Sequence, residues 1–488
     1  MILDKNYYLE TFGVTEDLLR SLVAEGIARG GDYADLYFES STLGSLLLRD
    51  GEVTSGGSHI DYGVGIRVLS GEKTGYAYAE STRLQDMLSA VRAASAIAGG
   101  NAPKGFSVNA TLRSAHGRAR KFFPGSPNPA ADRYPVRESW REKRAAALLP
   151  FLTRLDSAVR QKDPRICRLT AMLSYKVSDI LMFNSLEELK YDTRPLASVV
   201  VSAVFAQGGK TDVNSVSRSW RMGVEMLSDE LIRDMADEVT RGMDERFAAR
   251  RPKGGEMSVV MGAGASGILL HEAMGHAFEA DFNRKGQSVF SGQIGKEVCA
   301  RGIHILDDAT LKGSRGALNY DDEGVPGQKT YMVEDGRLTS YLHDRISARF
   351  FGVSPTGNGR RESFRYAPIP RMRTTYMESG NAEPESIIAS VRDGIFVDEF
   401  SNGQVKIGEG DFTFYVKSGF LIENGRLTMP VKDINIIGNG PRALADIVAV
   451  GNDLKIDEGA WTCGKEQSVP VGCGIPTVLV SRLTVGGE

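Results

Sequence analysis

The sequence predicts an α+β architecture, and three observations carry that reading. Apolar residues recur at helical spacing in a few early segments. Glycine-bounded, strand-like runs dominate from residue 251 onward. One apolar helical run, 268–278, interrupts them. The expected organisation is a helix-and-meander N-terminal region over 1–115, a linker and helical/β middle region over 116–250, and a β-rich C-terminal domain over 251–488 that holds the single helix against distant strands.

Thr15 is placed to cap an amphipathic helix in which Leu18, Leu19, Leu22, Val23 and Ile27 share one face. Strand-like runs follow at 34–38, 45–48 and 63–70, with turns at Asp50-Gly51 and Ser70-Gly71-Glu72. A second helix over 83–98 completes the unit. The basic residues Arg113, Arg118, Arg120 and Lys121 run into Phe122-Phe123-Pro124-Gly125-Ser126-Pro127, the composition of an exposed connection. A long helix is expected over 137–162, alternating strands over 167–206, and a charged helix over 227–250. Beyond these, strands are expected at 329–333, 337–342, 404–407, 412–416 and 478–484, and no solenoid-type repeat is visible.

Composition excludes several classes. Hydrophobic content of 41%, charged content of 25% and 55 glycines describe a globular chain rich in turns, long enough for two or three domains. No segment has the apolar length of a spanning helix, and Met1-Ile2-Leu3-Asp4-Lys5-Asn6-Tyr7-Tyr8 has no basic flank leading into an apolar core. Neither a membrane class nor export by a signal peptide is expected. A net charge of −3 and a pI near 6.2 give no general attraction to nucleic acid. Four unevenly spaced cysteines argue for a reducing compartment, the cytoplasm, where a thiol stays available to bind metal.

The most informative stretch is His271-Glu272-Ala273-Met274-Gly275-His276, which gathers two of the six histidines beside a carboxylate in the apolar run. Imidazole binds zinc well, and a carboxylate beside the ion can take a proton from water, as in zinc peptidases with an H-E-x-x-H motif. Here the spacing is one residue longer. In a regular helix a five-residue step leaves two side chains about 140° apart, against about 40° for four. A π-bulge near Gly275 would bring both histidines to one ion. Otherwise they are ordinary helix residues satisfied by backbone carbonyls.

Upstream, Gly262-Ala263-Gly264-Ala265-Ser266-Gly267 follows the strand-like Met257-Ser258-Val259-Val260-Met261 and matches a dinucleotide fingerprint. A dinucleotide fold would next need an apolar strand ending in an acid, but Asp281-Phe282-Asn283-Arg284-Lys285-Gly286 is a polar turn. The glycines are therefore read as a tight strand-to-helix turn, with a dinucleotide-dependent oxidoreductase as the lesser alternative. A catalytic zinc usually takes three protein ligands, so a third must come from elsewhere. Cys463, in Trp461-Thr462-Cys463-Gly464-Lys465-Glu466-Gln467, has a lysine nearby that favours a thiolate. Cys473 is the rival, readable as a small buried apolar residue.

The motif run, continued by Glu279-Ala280-Asp281-Phe282-Asn283-Arg284, resembles the TldD subunit of the TldD/TldE (PmbA) metallopeptidase family. So do Ser288-Val289-Phe290-Ser291-Gly292-Gln293, Asp321-Asp322-Glu323-Gly324-Val325-Pro326-Gly327-Gln328, Thr356-Gly357-Asn358-Gly359-Arg360-Arg361-Glu362-Ser363 and Leu483-Thr484-Val485-Gly486-Gly487. The resemblance is dense from about residue 257 onward and looser before it. It implies a zinc peptidase with His271, His276 and Cys463 as ligands and Glu272 as general base. It also implies peptide substrates, short or unfolded, and pairing with a TldE/PmbA-like subunit or a second copy. The family's cysteine block resembles C-G-K-x-G-Q, and Cys463-Gly464-Lys465-Glu466-Gln467 is one residue short of it. A catalytically inactive assembly subunit is the other alternative, although partner-type subunits resemble this chain without the H-E-x-x-x-H motif. Arg360, Arg361 and Tyr376 lie in or near these blocks and are equally readable as scaffold. The segment 408–415 offers either an open edge for an extended peptide or an internal strand.

Overall fold

The structure, a computed structural model, describes residues 3–99 and 132–487. The basic cluster at 113–121 lies outside these residues. Helices α1 (Lys5–Phe12) and α2 (Glu16–Ile27) open the chain, and the Thr15 hydroxyl accepts from the Leu18 N–H at 3.2 Å as the capping pattern requires. The two short runs expected at 34–38 and 45–48 are one strand, β1 (Tyr33–Arg49). The polar stretch between them is buried rather than looped. Glu39 accepts from Ser41 Oγ at 2.6 Å and Lys176 Nζ at 2.8 Å, so the strand continues where hydropathy alone breaks it.

A two-residue turn follows, with Asp50 at φ 50° and Gly51 at φ 83°, and leads into β2 (Glu52–Ser70) and β3 (Lys73–Ala79). Helix α3 (Leu84–Ala98) matches its expected span closely. The expected long helix starts later, as α4 (Ala145–Lys162). Before it, Trp140 is fully buried, stacks on Tyr175 with ring centroids 5.5 Å apart, and donates to the Met222 carbonyl at 2.7 Å. That anchoring holds the preceding chain off the helical path. Pro150, which a start at 137 would place mid-helix, falls near the N-terminal end.

Strands β4 (Ile166–Asn184), β5 (Leu189–Gln207) and β6 (Lys210–Trp220) join β1–β3 in one six-stranded antiparallel sheet ordered β3-β2-β1-β4-β5-β6. One face carries two apolar clusters: α1 to α3 cover the β1–β3 side, and α4 with α5 (Asp229–Thr240) covers the other. The charged helix expected over 227–250 is divided, because Gly242 turns the chain at φ 69° before α6 (Met243–Ala248).

Beyond residue 254 the chain is β-rich. Five strands of one larger sheet follow in the order Asp393–Val405, Gly255–Met261, Val478–Val485, Asn435–Asn439, Asp411–Glu423. The first of these also pairs with the fifth, so the five close on themselves. The segment 411–415 is therefore internal, bonded to 405–402 on one side and 439–435 on the other, and no open edge exists there for a peptide. A second sheet includes Ile305–Asp308, Thr374–Met377 and Gly472–Ile475. The largest apolar cluster lies among these strands and surrounds the motif helix.

The two halves meet through buried charge. Arg67 on β2 is fully buried between Asp35 and Glu323, Arg194 on β5 pairs with Asp322, and the Arg361 guanidinium lies 4.2 Å from the Tyr37 ring centroid. The Phe364 N–H donates to Glu39 at 3.0 Å. The blocks 321–328 and 356–363 thus dock the C-terminal half on the sheet.

Candidate metal centre

Met261 ends a strand, and the glycine-rich turn that follows packs against two neighbours. The Gly262 N–H donates to the Val397 carbonyl at 2.8 Å and the Gly264 N–H to Ile475 at 2.9 Å. A Cβ at Gly267 would lie 2.7 Å from the Gly474 backbone nitrogen. Gly264 itself sits at φ 98°. These glycines serve close packing, and their N–H groups are already bonded rather than arranged around a phosphate.

The helix starts as one α-turn, Gly267–Leu270, then widens into a π-turn over His271–Gly275. The His276 N–H donates to the His271 carbonyl five residues back, the distortion expected from the spacing. As a result the two imidazole centroids are 5.2 Å apart at 79°. Gly275 has ordinary helical φ and ψ of −57° and −47°, so it is not needed for conformation. It is needed for space, since a Cβ there would lie 2.1 Å from Met372 Sδ.

Cys463 comes from a hairpin, Thr462–Lys465 paired with Gln467–Pro470. The shortened cysteine block is accommodated at its tip, where Glu466 alone makes the turn at φ 56°. The thiol still reaches the helix: Cys463 Sγ is 3.1 Å from His276 Nε2, and the ligand atoms of His271, His276 and Cys463 all lie within 4.8 Å of one another. All three are buried. Cys473 is on a neighbouring strand within the apolar cluster, outside this group. Burial, with Asp457 and Glu272 nearby, pushes its thiol well above the usual range.

The donors suit a metal ion. By strict geometry neither ring nitrogen of His271 has a hydrogen-bond partner among the described residues, although Cys463 lies close and the residue is 1% exposed, a costly state that coordination would relieve. Burial raises the Cys463 thiol, but electrostatic and hydrogen-bond interactions with His271 and His276 outweigh it and bring it down to about 4. Burial opposes the charged form of His276, yet Glu279 and Cys463 raise it well above its ordinary value. Glu272 is partly exposed, its Oε2 3.9 Å from His276 Nε2. It lines the same space without belonging to the three-residue group.

Behind the group sits a layer that sequence reasoning did not assign. Glu279 is fully buried and lies 2.9 Å from His276 Nδ1. Burial alone would raise its carboxyl, but Lys465 and His276 hold it down at about 2. Lys465 donates to Glu279 and Asp281, each at 2.9 Å. Arg371, fully buried, donates to the carbonyls of Cys463 and Gln467 at 2.7 Å and of Lys465 at 3.2 Å. Arg360 donates to the Met372 carbonyl and, at 2.8 Å, to that of Pro470, while Tyr376 donates to Asp308 at 3.1 Å. With Arg361 committed to the inter-half contact, these three are scaffold residues.

Two imidazoles and a thiol gathered in the interior, with the Glu272 carboxylate beside them, are a donor set of the kind that a zinc ion takes. Family profiles match the chain as the PmbA/TldA metallopeptidase domain 1 over 34–98, central domain over 138–243 and C-terminal domain over 254–487. The chain belongs to the PmbA/TldD metallopeptidase family. It is 39% identical over 474 residues to the metalloprotease TldD homolog of Haemophilus influenzae, covering 94% of each chain. It is 33% identical over 240 residues to a zinc metalloprotease TldD homolog of Saccharolobus solfataricus, covering 48% of this chain and 53% of the relative. The fold is shared with TldE from Thermococcus kodakarensis, at a TM-score of 0.73, 18% identity and coverage of 96% and 100%. A Thermotoga maritima protein named as a candidate modulator of a DNA gyrase shares it too, at 0.76, 20% identity and the same coverage.

Proposed function

We propose that this chain is a zinc-dependent peptidase that hydrolyses amide bonds of short or unfolded peptides, with His271, His276 and Cys463 holding the ion and Glu272 as general base. The observation that carries this reading is the buried His-His-Cys group with the His271 ring unpartnered and Glu272 at its rim. Zinc held by two neutral imidazoles and one thiolate keeps a net single positive charge and would supply a Lewis acid that acidifies water and polarises a carbonyl. Glu272 then takes a proton from the attacking water and returns it to the leaving amine. The naming of the Saccharolobus relative as a zinc metalloprotease supports the choice of metal.

A cleft of about 1130 Å³ lies between β6 and the strands 393–405 and 411–423, with Arg218, Asp398, Lys417 and Trp461 among its lining residues and His271, Glu272, His276 and Cys463 outside it. Asp398 lies at the foot of the motif helix, where its carbonyl accepts from Ser266 Oγ at 3.4 Å, and Trp461 is two residues before Cys463. The likeness to TldE supports a partner of the same fold, supplied by a second chain type or a second copy. A cytoplasmic setting agrees with free thiols at all four cysteines and with the lack, among the described residues, of a helix long and apolar enough to cross a membrane.

The test pairs metal content with turnover. Purified protein should carry about one zinc per chain, and Glu272→Gln should keep the ion while losing peptide hydrolysis by ~10²-fold or more. Absence of zinc, or near wild-type turnover by Glu272→Gln, would remove this reading.

A further inference from the structure

We propose that Glu279 is a positioning residue that fixes His276 for the metal, and that Lys465 ties this function to the hairpin carrying the cysteine. The proposal rests on the zinc reading above, and it names residues that the ligand set leaves out.

Glu279 faces two groups from opposite sides of the centre. Its Oε2 is 2.9 Å from His276 Nδ1 on the helix and 2.9 Å from Lys465 Nζ on the hairpin. An ionised carboxylate only accepts hydrogen bonds, so the contact with His276 places a proton on Nδ1. In neutral imidazole that leaves the lone pair on Nε2, the atom 3.1 Å from Cys463 Sγ. Among the described residues no carboxylate hydrogen bond reaches His271, which has only the Cys463 thiol and His276 beside it. One histidine is therefore preset, and the other would take its orientation from a bound ion.

Lys465 gives the carboxylate a fixed address. Cys463 and Lys465 are both buried and two residues apart on one strand, so they share a face. The ammonium also bonds Asp281 at 2.9 Å and the Pro370 carbonyl at 3.1 Å, and lies 4.3 Å from the centroid of the Phe282 ring. Arg371 grips three carbonyls of the same hairpin and brings its Nε within 3.8 Å of Glu279 Oε1. Two carboxylates, Glu279 and Asp281, thus face two cations, Lys465 and Arg371. The layer is charge-balanced before His276, Cys463 or an ion is counted, so it can hold helix and hairpin in register while the metal enters. A purely structural ion cluster would hold the same elements together without setting which nitrogen of His276 carries the proton.

Zinc affinity, measured by chelator competition, separates the two. Glu279→Gln and Lys465→Met should each lower it by ~10- to 100-fold, while Lys465→Arg retains most of it. Nitrogen-15 spectra of the zinc-loaded chain, which has six histidines, should show His276 protonated at Nδ1 in the wild type. Glu323→Gln serves as control, removing a buried charge from the cluster at Arg67; it should lower the melting temperature and leave zinc affinity unchanged. If Glu279→Gln does not fold, Lys465→Met carries the same comparison. Wild-type zinc affinity in the Glu279 and Lys465 variants, a tenfold loss in the Glu323 control, or a His276 protonated at Nε2 would each overturn the positioning role and leave the zinc reading standing. A wild-type chain that binds no zinc would instead end the zinc reading.

Discussion

His276 follows His271 by five positions, yet their ring centroids are 5.2 Å apart because the helix between them widens into a π-turn. That single wide turn decides whether the motif can bind an ion, since a regular helix would set the rings about 140° apart. Met372 packs directly against the turn at Gly275.

The first prediction follows from that packing. Gly275→Ala places a methyl 2.1 Å from Met372 Sδ, in a core where both residues are buried. Overpacking of this kind costs about 1–3 kcal/mol. Met372 is fully buried, so either its thioether or the π-turn must give way, and where the turn moves, zinc affinity should fall by ~10-fold or more. Competition with a chelator measures this, and a variant that is less stable but binds zinc as wild type would show that the turn tolerates the shift.

The second concerns the third ligand. Cys463→Ala should release most of the zinc, whereas Cys473→Ala should keep it, because only Cys463 belongs to the His-His-Cys group. Both substitutions remove a buried sulfur, so the pair controls for a general loss of packing. Metal analysis after dialysis is the measurement, and equal retention by both would exclude Cys463.

Local patterns foretold much of this site and little of its support. The Thr15 cap, the Asp50-Gly51 turn and the widened motif helix depend on short-range geometry, and the structure has each of them. Strand extents were less readable. β1 continues through a polar stretch because Glu39 and Ser41 find buried partners on β4 and beyond, and β6 escaped notice because Lys210–Trp220 is mostly polar. Which strands pair was not legible either: 411–415 looks the same in sequence whether its edges are free or bonded. Glu279, Lys465 and Arg371 act through partners up to 186 residues away, so their spacing carries no periodic signal. A lysine two residues past the cysteine is the hint the sequence offers, and it points to the thiolate and not to Glu279.

The third prediction is a pH effect from His343, which is buried against Tyr341 and Phe351. Burial lowers its value from the usual 6.5 to about 4. Between those limits the unfolded chain binds a proton that the folded chain does not. Stability from this residue is therefore complete above about pH 6.5 and is lost as pH falls toward 4, by on the order of 3 kcal/mol. In urea unfolding at pH 7 and pH 4, His343→Gln should lose less stability than wild type by about that amount. Parallel losses in the two proteins would show that His343 does not carry the effect.

The fourth prediction concerns substrate folding. His271, His276 and Cys463 are 1%, 5% and 3% exposed, and the Glu272 side chain is 23% exposed. A scissile amide must therefore reach the centre in extended form, with several residues on either side freed from their own structure. A stable domain resists this by its unfolding free energy, and at about 5 kcal/mol fewer than one molecule in ~10³ is open at a time. If cleavage draws on that open fraction, its rate should fall about tenfold for each 1.4 kcal/mol of added substrate stability. A series of point variants of one small model domain, identical at the cleaved segment and graded in stability, tests this directly. Rates proportional to the unfolded fraction are expected, whereas one rate across the series would mean that the centre reaches bonds in folded proteins.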